Sequence, residues 1–229
     1  MLLSRRSIVL FVLLGALVLV GLAYREISSR GKHEEATGVI VVKEPVNFAN
    51  RAFDPASPPA DMPPLHNSEY AECDSQFLAG ASVGRETRQT DATHATMTIT
   101  HVKVNLQLHI TIWIPSGATQ LIADHEDGHR HISEFYYQNA DKIASQIAAT
   151  YMGKQVEITG PDLNAESNKL LAQMATEITD EYNKELDPEP TQLLYDEITN
   201  HGRNGIIASD AAEHAIKNIG VELSTPGKS

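Results

Sequence analysis

The chain has 229 residues, a formal net charge of -12 at pH 7 and a single cysteine, Cys73. The acidic balance argues against nucleic acid as a partner, because phosphate must be met by a basic surface. One cysteine excludes an internal disulfide and a cysteine-built zinc knuckle, so any metal site must draw on His, Asp and Glu.

Arg5 and Arg6 precede the apolar run "SIVLFVLLGALVLVGLAY", residues 7–24, which Arg25 follows. A spanning helix needs about 20 apolar residues with a lower limit near 17, whereas a cleaved signal carries an apolar run of about 7–15. The run sits between the two. Gly21-Leu22-Ala23 offers a cleavage site, so secretion after cleavage near Ala23 is the alternative to a retained anchor. Arg25, Arg30 and Lys32 lie beyond the run and blunt the charge contrast across it. The short basic tail before it still resists translocation. The expectation is a single-pass membrane protein, N-terminus cytoplasmic, with its body periplasmic or extracellular.

Residues 1–24 are thus read as anchor or signal and residues 25–65 as a juxtamembrane and proline-rich linker. Within that linker, residues 39–42 form a short strand candidate. "DPASPPADMPPL" carries Pro55, Pro58, Pro59, Pro63 and Pro64, a density that favours an extended, stiff segment over helix or sheet. "SEYAECDSQFLAG" is read as a short helix. "ATMTITHVKV" alternates around Met97 and Ile99, and "NLQLHITIWIP" places Leu106, Leu108, Ile110, Ile112 and Ile114 on one face. This predicts a half-buried antiparallel sheet.

The remainder reads as helical. One long helix is predicted over residues 118–151. A second starts near Asp162 with its stripe through Leu170, Met174, Ile178 and Tyr182, and Pro188 stops it. "TQLLYDEIT" makes a short third helix broken at His201-Gly202, and a fourth spans residues 209–219. Strands followed by helices predict an α+β domain over residues 66–220, with residues 221–229 as a tail.

The chemistry is concentrated in "HEDGH". His125 and His129 are four apart, so a helix carries both imidazoles on one face, where two nitrogens can share one tetrahedral ion. Glu126 flanks that face and suits a general base acting on a metal-activated water. The stripe continues as Ile132, Tyr136, Ile143 and Ile147, so the histidines face the core. His131 points elsewhere. Asp124 and Asp127 read as first-turn acids that favour the helix dipole, with the orienting of an imidazole as the alternative, and Arg130 with Glu134 as an exposed ion pair. Gly128, costly within a helix, suits close approach of another segment beneath the metal. An open zinc site wants a third protein ligand. It is sought in "LYDEITNHGRN": His201 first, with Asp196, Glu197 and His214 as competitors. Tyr195 and Arg203 are candidates for polarising a carbonyl or steadying an oxyanion, although packing or solvation accounts better for both.

"HEDGHRHISEFYYQNA" and "YDEITNHGRN" resemble the two signatures of a bacterial family of zincin-like metallopeptidases, and "ITIWIP" before the helix fits the same pattern. The resemblance covers about half the chain, from Thr96 to Ile216. It implies a zincin-like fold, Zn2+ on His125, His129 and His201, and Glu126 as the catalytic residue. Two departures stand out. Arg130-His131-Ile132 replaces the Phe-Asp-Ile that often follows the second histidine, and "GIIASDAAEHAI" lacks the Gln and Trp common after the second signature. The activity expected is hydrolysis of a peptide or protein substrate. The rival is a non-catalytic, envelope-anchored protein that binds metal or a partner for structural reasons.

Overall fold

A computed structural model describes residues 38–65 and 70–219. The apolar run at residues 7–24 lies outside them. Among the described residues no helix is long and apolar enough to cross a membrane. The single-pass placement expected from the sequence is corrected on that finding: the described residues supply no spanning helix.

Five strands form one sheet around a central axis, β4 (His94–Pro115). β3 (Glu72–Gln89) lies antiparallel along one edge of β4, from Glu72 opposite Trp113 to Gln89 opposite Ala95. A strand has only two edges, so the other strands share the second one in succession. β5 (Gln155–Thr159) pairs antiparallel with the start of β4. β1 (Gly38–Lys43) and β2 (Asn47–Phe53) pair parallel with its middle and end. The predicted antiparallel sheet is therefore wrong: two of the four pairings are parallel and the sheet is mixed. Alternation along β4 reports that one face is buried; it carries no information about the direction of the neighbours. Both parallel strands come from the stretch read as linker. The whole of β3 lies in the connection that parallel pairing with β4 requires.

β3 also replaces the short helix predicted near its start. Its inward residues Cys73, Ser75, Phe77, Ala79, Ala81 and Val83 recur with period two, but most are small, which hides the period in the sequence. Along β4 the buried set changes parity, from Ala95, Met97 and Ile99 to Val102, Val104 and Leu106. Gly84 pairs with His101 and Arg85 with Ile99, so Thr100 is the extra residue of a β-bulge that re-phases the strand.

Five helices complete the fold: α1 (Gln120–Gln138), α2 (Ala140–Ala149), α3 (Leu163–Glu185), α4 (Glu189–Thr199) and α5 (Ala208–Ile219). The single helix predicted over 118–151 is divided at Asn139, whose ψ of 1° leaves the helical range. Asn competes for backbone hydrogen bonds and tolerates such a break. Asp162 caps α3, accepting from the amides of Asn164 and Ala165. The helices cover one face of the sheet. Leu106, Leu108, Ile110 and Ile112 meet Ile132, Tyr136, Ile178 and Tyr182 in a single core. Each such side chain contributes about 1.5–3 kcal/mol on burial. That core holds α1 and α4 side by side, and the site lies between them.

Candidate metal centre

Three donor atoms converge between α1 and α4. His125 Nε2 and His129 Nε2 are 3.2 Å apart. Asp196 Oδ1 lies 3.3 Å from the first and 3.0 Å from the second. His125 is 4% exposed, and the His129 and Asp196 side chains 14% and 15%. A tetrahedral ion with bonds of about 2.0–2.1 Å has donor–donor edges of about 3.3–3.4 Å. The observed triangle fits one face of such a tetrahedron within a few tenths of an ångström. His125, His129 and Asp196 can hold a metal ion.

The outer hydrogen bonds decide which nitrogens are free to donate. Gln192 Nε2 donates to the carbonyl of His129 and to Ser133 Oγ, so its Oε1 must be the acceptor 2.6 Å from His129 Nδ1. His129 therefore carries its proton on Nδ1 and presents a lone pair at Nε2. Thr199 Oγ1 donates to the carbonyl of Tyr195 and lies 3.3 Å from His125 Nδ1, which fixes the same tautomer there. Two imidazole lone pairs and a carboxylate oxygen then face one point. Such a cluster requires positive charge, either a proton or a metal ion. With a proton in that role, burial opposes the charge on His129. The hydrogen bond and charge of Asp196 outweigh it, raising His129 to about 9. Burial likewise opposes ionisation of Asp196, but the two histidines hold its carboxyl well below the usual range.

The second signature packs directly beneath the first. Tyr195 is fully buried, stacks on His125 with ring centroids 5.0 Å apart, and donates from its hydroxyl to the His125 carbonyl at 2.9 Å. A Cβ at Gly128 would overlap that phenol, which is the close approach the sequence suggested for this glycine. α4 ends in three successive left-handed residues, Asn200, His201 and Gly202. This turn lays Gly202 against His125, so that a Cβ there would sit 2.9 Å from the His125 Cβ and Cγ.

His201, the first choice for third ligand, stands outside the converging group; its Nδ1 is 3.7 Å from Asp196 Oδ1. Asp196, weighed as a competitor, supplies the third donor. Glu197 is exposed, and His214 is exposed on α5 with Asn218 as its partner. Tyr195 is committed to a carbonyl and positions His125. Arg203 is exposed and lies over the Tyr70 ring at 5.9 Å. Asp124 and Asp127 are not in the first turn of α1; Asp127 and Glu134 both bind Arg130. His131 is exposed.

Glu126 is 4% exposed and follows His125 directly. Its charge acts on the His129 ring and on the Cys73 thiol of β3. Sequence reasoning missed Gln192, Ser133 and Thr199. A signal was present: Gln192, Tyr195, Asp196 and Thr199 fall at i, i+3, i+4 and i+7, one face of one helix, and Ser133 is four residues after His129.

Compared with known proteins, the chain matches no family model, no curated protein and no solved structure.

Proposed function

We propose that this protein is a zinc-dependent peptidase in which His125, His129 and Asp196 hold the ion and Glu126 is the general base. The observation that carries the reading is the donor triangle with edges of 3.0 to 3.3 Å, set beside a buried carboxylate one residue from a ligand. Two imidazoles with one carboxylate are a donor set that zinc accepts, and three protein donors leave a fourth position for chemistry. Zinc, when bound, supplies a Lewis acid that polarises a carbonyl and makes water more acidic.

The chain's own residues do the rest. Glu126 takes a proton at its carboxylate from the attacking water. The water oxygen bonds to the carbonyl carbon, the C–N bond breaks, and Glu126 returns the proton to the leaving amine. Gln192 and Thr199 hold the imidazoles in the donating tautomer. β4 has both edges occupied. Among the described residues β1, β2, β3 and β5 each pair with β4 alone; β3 is the one tied to the donor cluster, through Ser75, Ser133 and Gln192, so its second edge is our choice for an extended peptide.

The test uses the full-length protein. Bound zinc is measured by mass spectrometry, and a mixed peptide library is incubated with wild type and with Glu126→Gln. The expected outcome is one zinc per chain in both and cleavage by wild type alone. Absence of stoichiometric zinc in wild type sinks the site. Zinc with no cleavage by wild type converts the reading to a structural metal protein. Equal cleavage by both forms removes Glu126 from its role.

A further inference from the structure

The proline-rich segment does more than connect. Between β2 and β3 it folds back on the end of the sheet and walls a cavity of about 400 Å3. The walls include Phe53, Pro55, Pro59, Met62, Tyr70 and Pro115, and among the described residues no charged side chain lines it. That volume lies at the lower end of the range for small-ligand pockets, enough for one large apolar side chain. The wall is pinned. Arg51 bonds Asp61 at 2.5 Å while its guanidinium lies 4.1 Å over the Trp113 ring. The Met62 amide donates to Pro59 O at 3.1 Å. Proline fixes its own backbone, so such a wall needs little ordering to receive a ligand.

Two chain paths lead from this cavity to the metal centre. Tyr70, 65% exposed at the cavity, packs on Arg203, which follows the His201 turn by two residues. Tyr70 also lies three residues before Cys73 and five before Ser75. Ser75 Oγ is 2.9 Å from Ser133 Oγ, Ser133 is 3.1 Å from Gln192 Nε2, and Gln192 holds His129. Three residues span at most about 11 Å, so the cavity opens within about three residues of chain from Cys73, the β3 residue whose thiol feels the charge of Glu126.

We propose that this cavity is a specificity subsite: it receives a large apolar or aromatic side chain of the substrate, about three residues to the C-terminal side of the cleaved bond. The proposal rests on the peptidase reading above. An extended peptide on the open edge of β3 pairs best antiparallel. It then runs from the Gln89 end toward Glu72, so residues after the bond travel toward Tyr70. With no charge on the described walls, Asp or Lys at that position would find no partner there for its buried charge and is disfavoured.

The experiment has a cleavage arm and a binding arm, both with the full-length zinc-loaded protein. Wild type cleaves a mixed library and the sites are mapped by mass spectrometry. In parallel, Glu126→Gln is titrated with two fluorescent host peptides of Gly, Ser and Asn, one bearing a single Phe and the other Asp in its place. The expected result is at least tenfold enrichment of Phe, Leu, Met or Trp at the third position after the cleaved bond, and at least tenfold tighter binding of the Phe peptide. Met62→Trp, which fills the cavity, and Tyr70→Ser, which opens its rim, each erase both preferences while keeping bound zinc. Cleavage without a preference at that position overturns the subsite and leaves the peptidase reading standing. No cleavage, with Phe still preferred and the preference lost in Met62→Trp, overturns the peptidase reading and keeps the cavity as an apolar site. Preferences unchanged in both variants overturn the cavity's role.

Discussion

α1 and α4 face each other across the donor cluster, and they reach it in different ways. α1 contributes through local geometry: two histidines one turn apart share a face whatever packs against them. α4 contributes through tertiary packing. Tyr195, Asp196 and Thr199, with Gly202 in the turn that follows, all pack on a histidine of α1, but nothing in residues 189–202 taken alone ranks Asp196 above His201 as a donor. A ligand pair on one helix is therefore legible from spacing. A third ligand depends on the axial register between two helices, which their packing sets.

The largest expected effects test that difference directly. Asp196→Ala should lower zinc affinity more than about a hundredfold, beyond the 10- to 100-fold typical of residues behind the ligands. His125→Ala should do the same. His201→Ala should fall within or below the outer range, because its ring lies outside the converging group. Competition with a chromogenic chelator measures all three. Equal losses for Asp196→Ala and His201→Ala would make the left-handed turn, and not the helix face, the source of the third donor.

A comparable span is expected from pH alone. In the metal-free protein His129 holds its proton up to about 9, since Asp196, Glu126 and Gln192 together overcome the opposing effect of burial. A metal must displace that proton. Apparent affinity should therefore climb about tenfold per pH unit between 7 and 9 and level off above. The stability of the metal-free protein should move in the opposite sense. A raised folded pKa adds stability that is fully present below the unfolded value of about 6.5 and lost as pH rises through about 9. Calorimetric titration in buffers of different ionisation enthalpy would count the released proton. A flat affinity over this range would mean that His129 is already neutral at pH 7.

How far the sequence could be read follows the same division. The α1 pair, the stripe through Ile132 and Tyr136, the α3 stripe and the alternation on β4 are local periodicities, and each is found in the structure. What the sequence did not disclose is non-local. β1 and β2 join the sheet by pairing parallel with a strand some sixty residues further on. β3 hides its period behind Ala79, Gly80 and Ala81, residues that carry little hydrophobic signal. The division of α1 from α2 falls at Asn139 with neither Gly nor Pro to announce it. Gly128 is the instructive exception. A glycine that costs about 1 kcal/mol within a helix invites a search for what touches it, and that neighbour is Tyr195.

The two glycines that seat one signature against the other give the smallest effect and the finest test. Gly128→Ala puts a methyl group into the phenol of Tyr195, whose hydroxyl is fixed on the His125 carbonyl. Neither the tyrosine nor the carbonyl can yield without moving a ligand, so overpacking should cost about 1–3 kcal/mol. The gain in helix propensity offsets about 1 kcal/mol of that. Gly202→Ala carries a different penalty. Its φ of +71° disfavours any side chain, and the new Cβ would press on His125. Left-handed strain of about 1–2 kcal/mol adds to the contact. Both should lower the melting temperature of the metal-free protein. They should separate in the holo form: Gly128→Ala shifts both ligands of α1 relative to Asp196, whereas Gly202→Ala presses on His125 alone. Adding Tyr195→Phe, which removes the phenol oxygen, should recover part of the loss in Gly128→Ala and none of that in Gly202→Ala. Recovery in both would mean that α4 shifts as one body and that the two contacts are a single constraint.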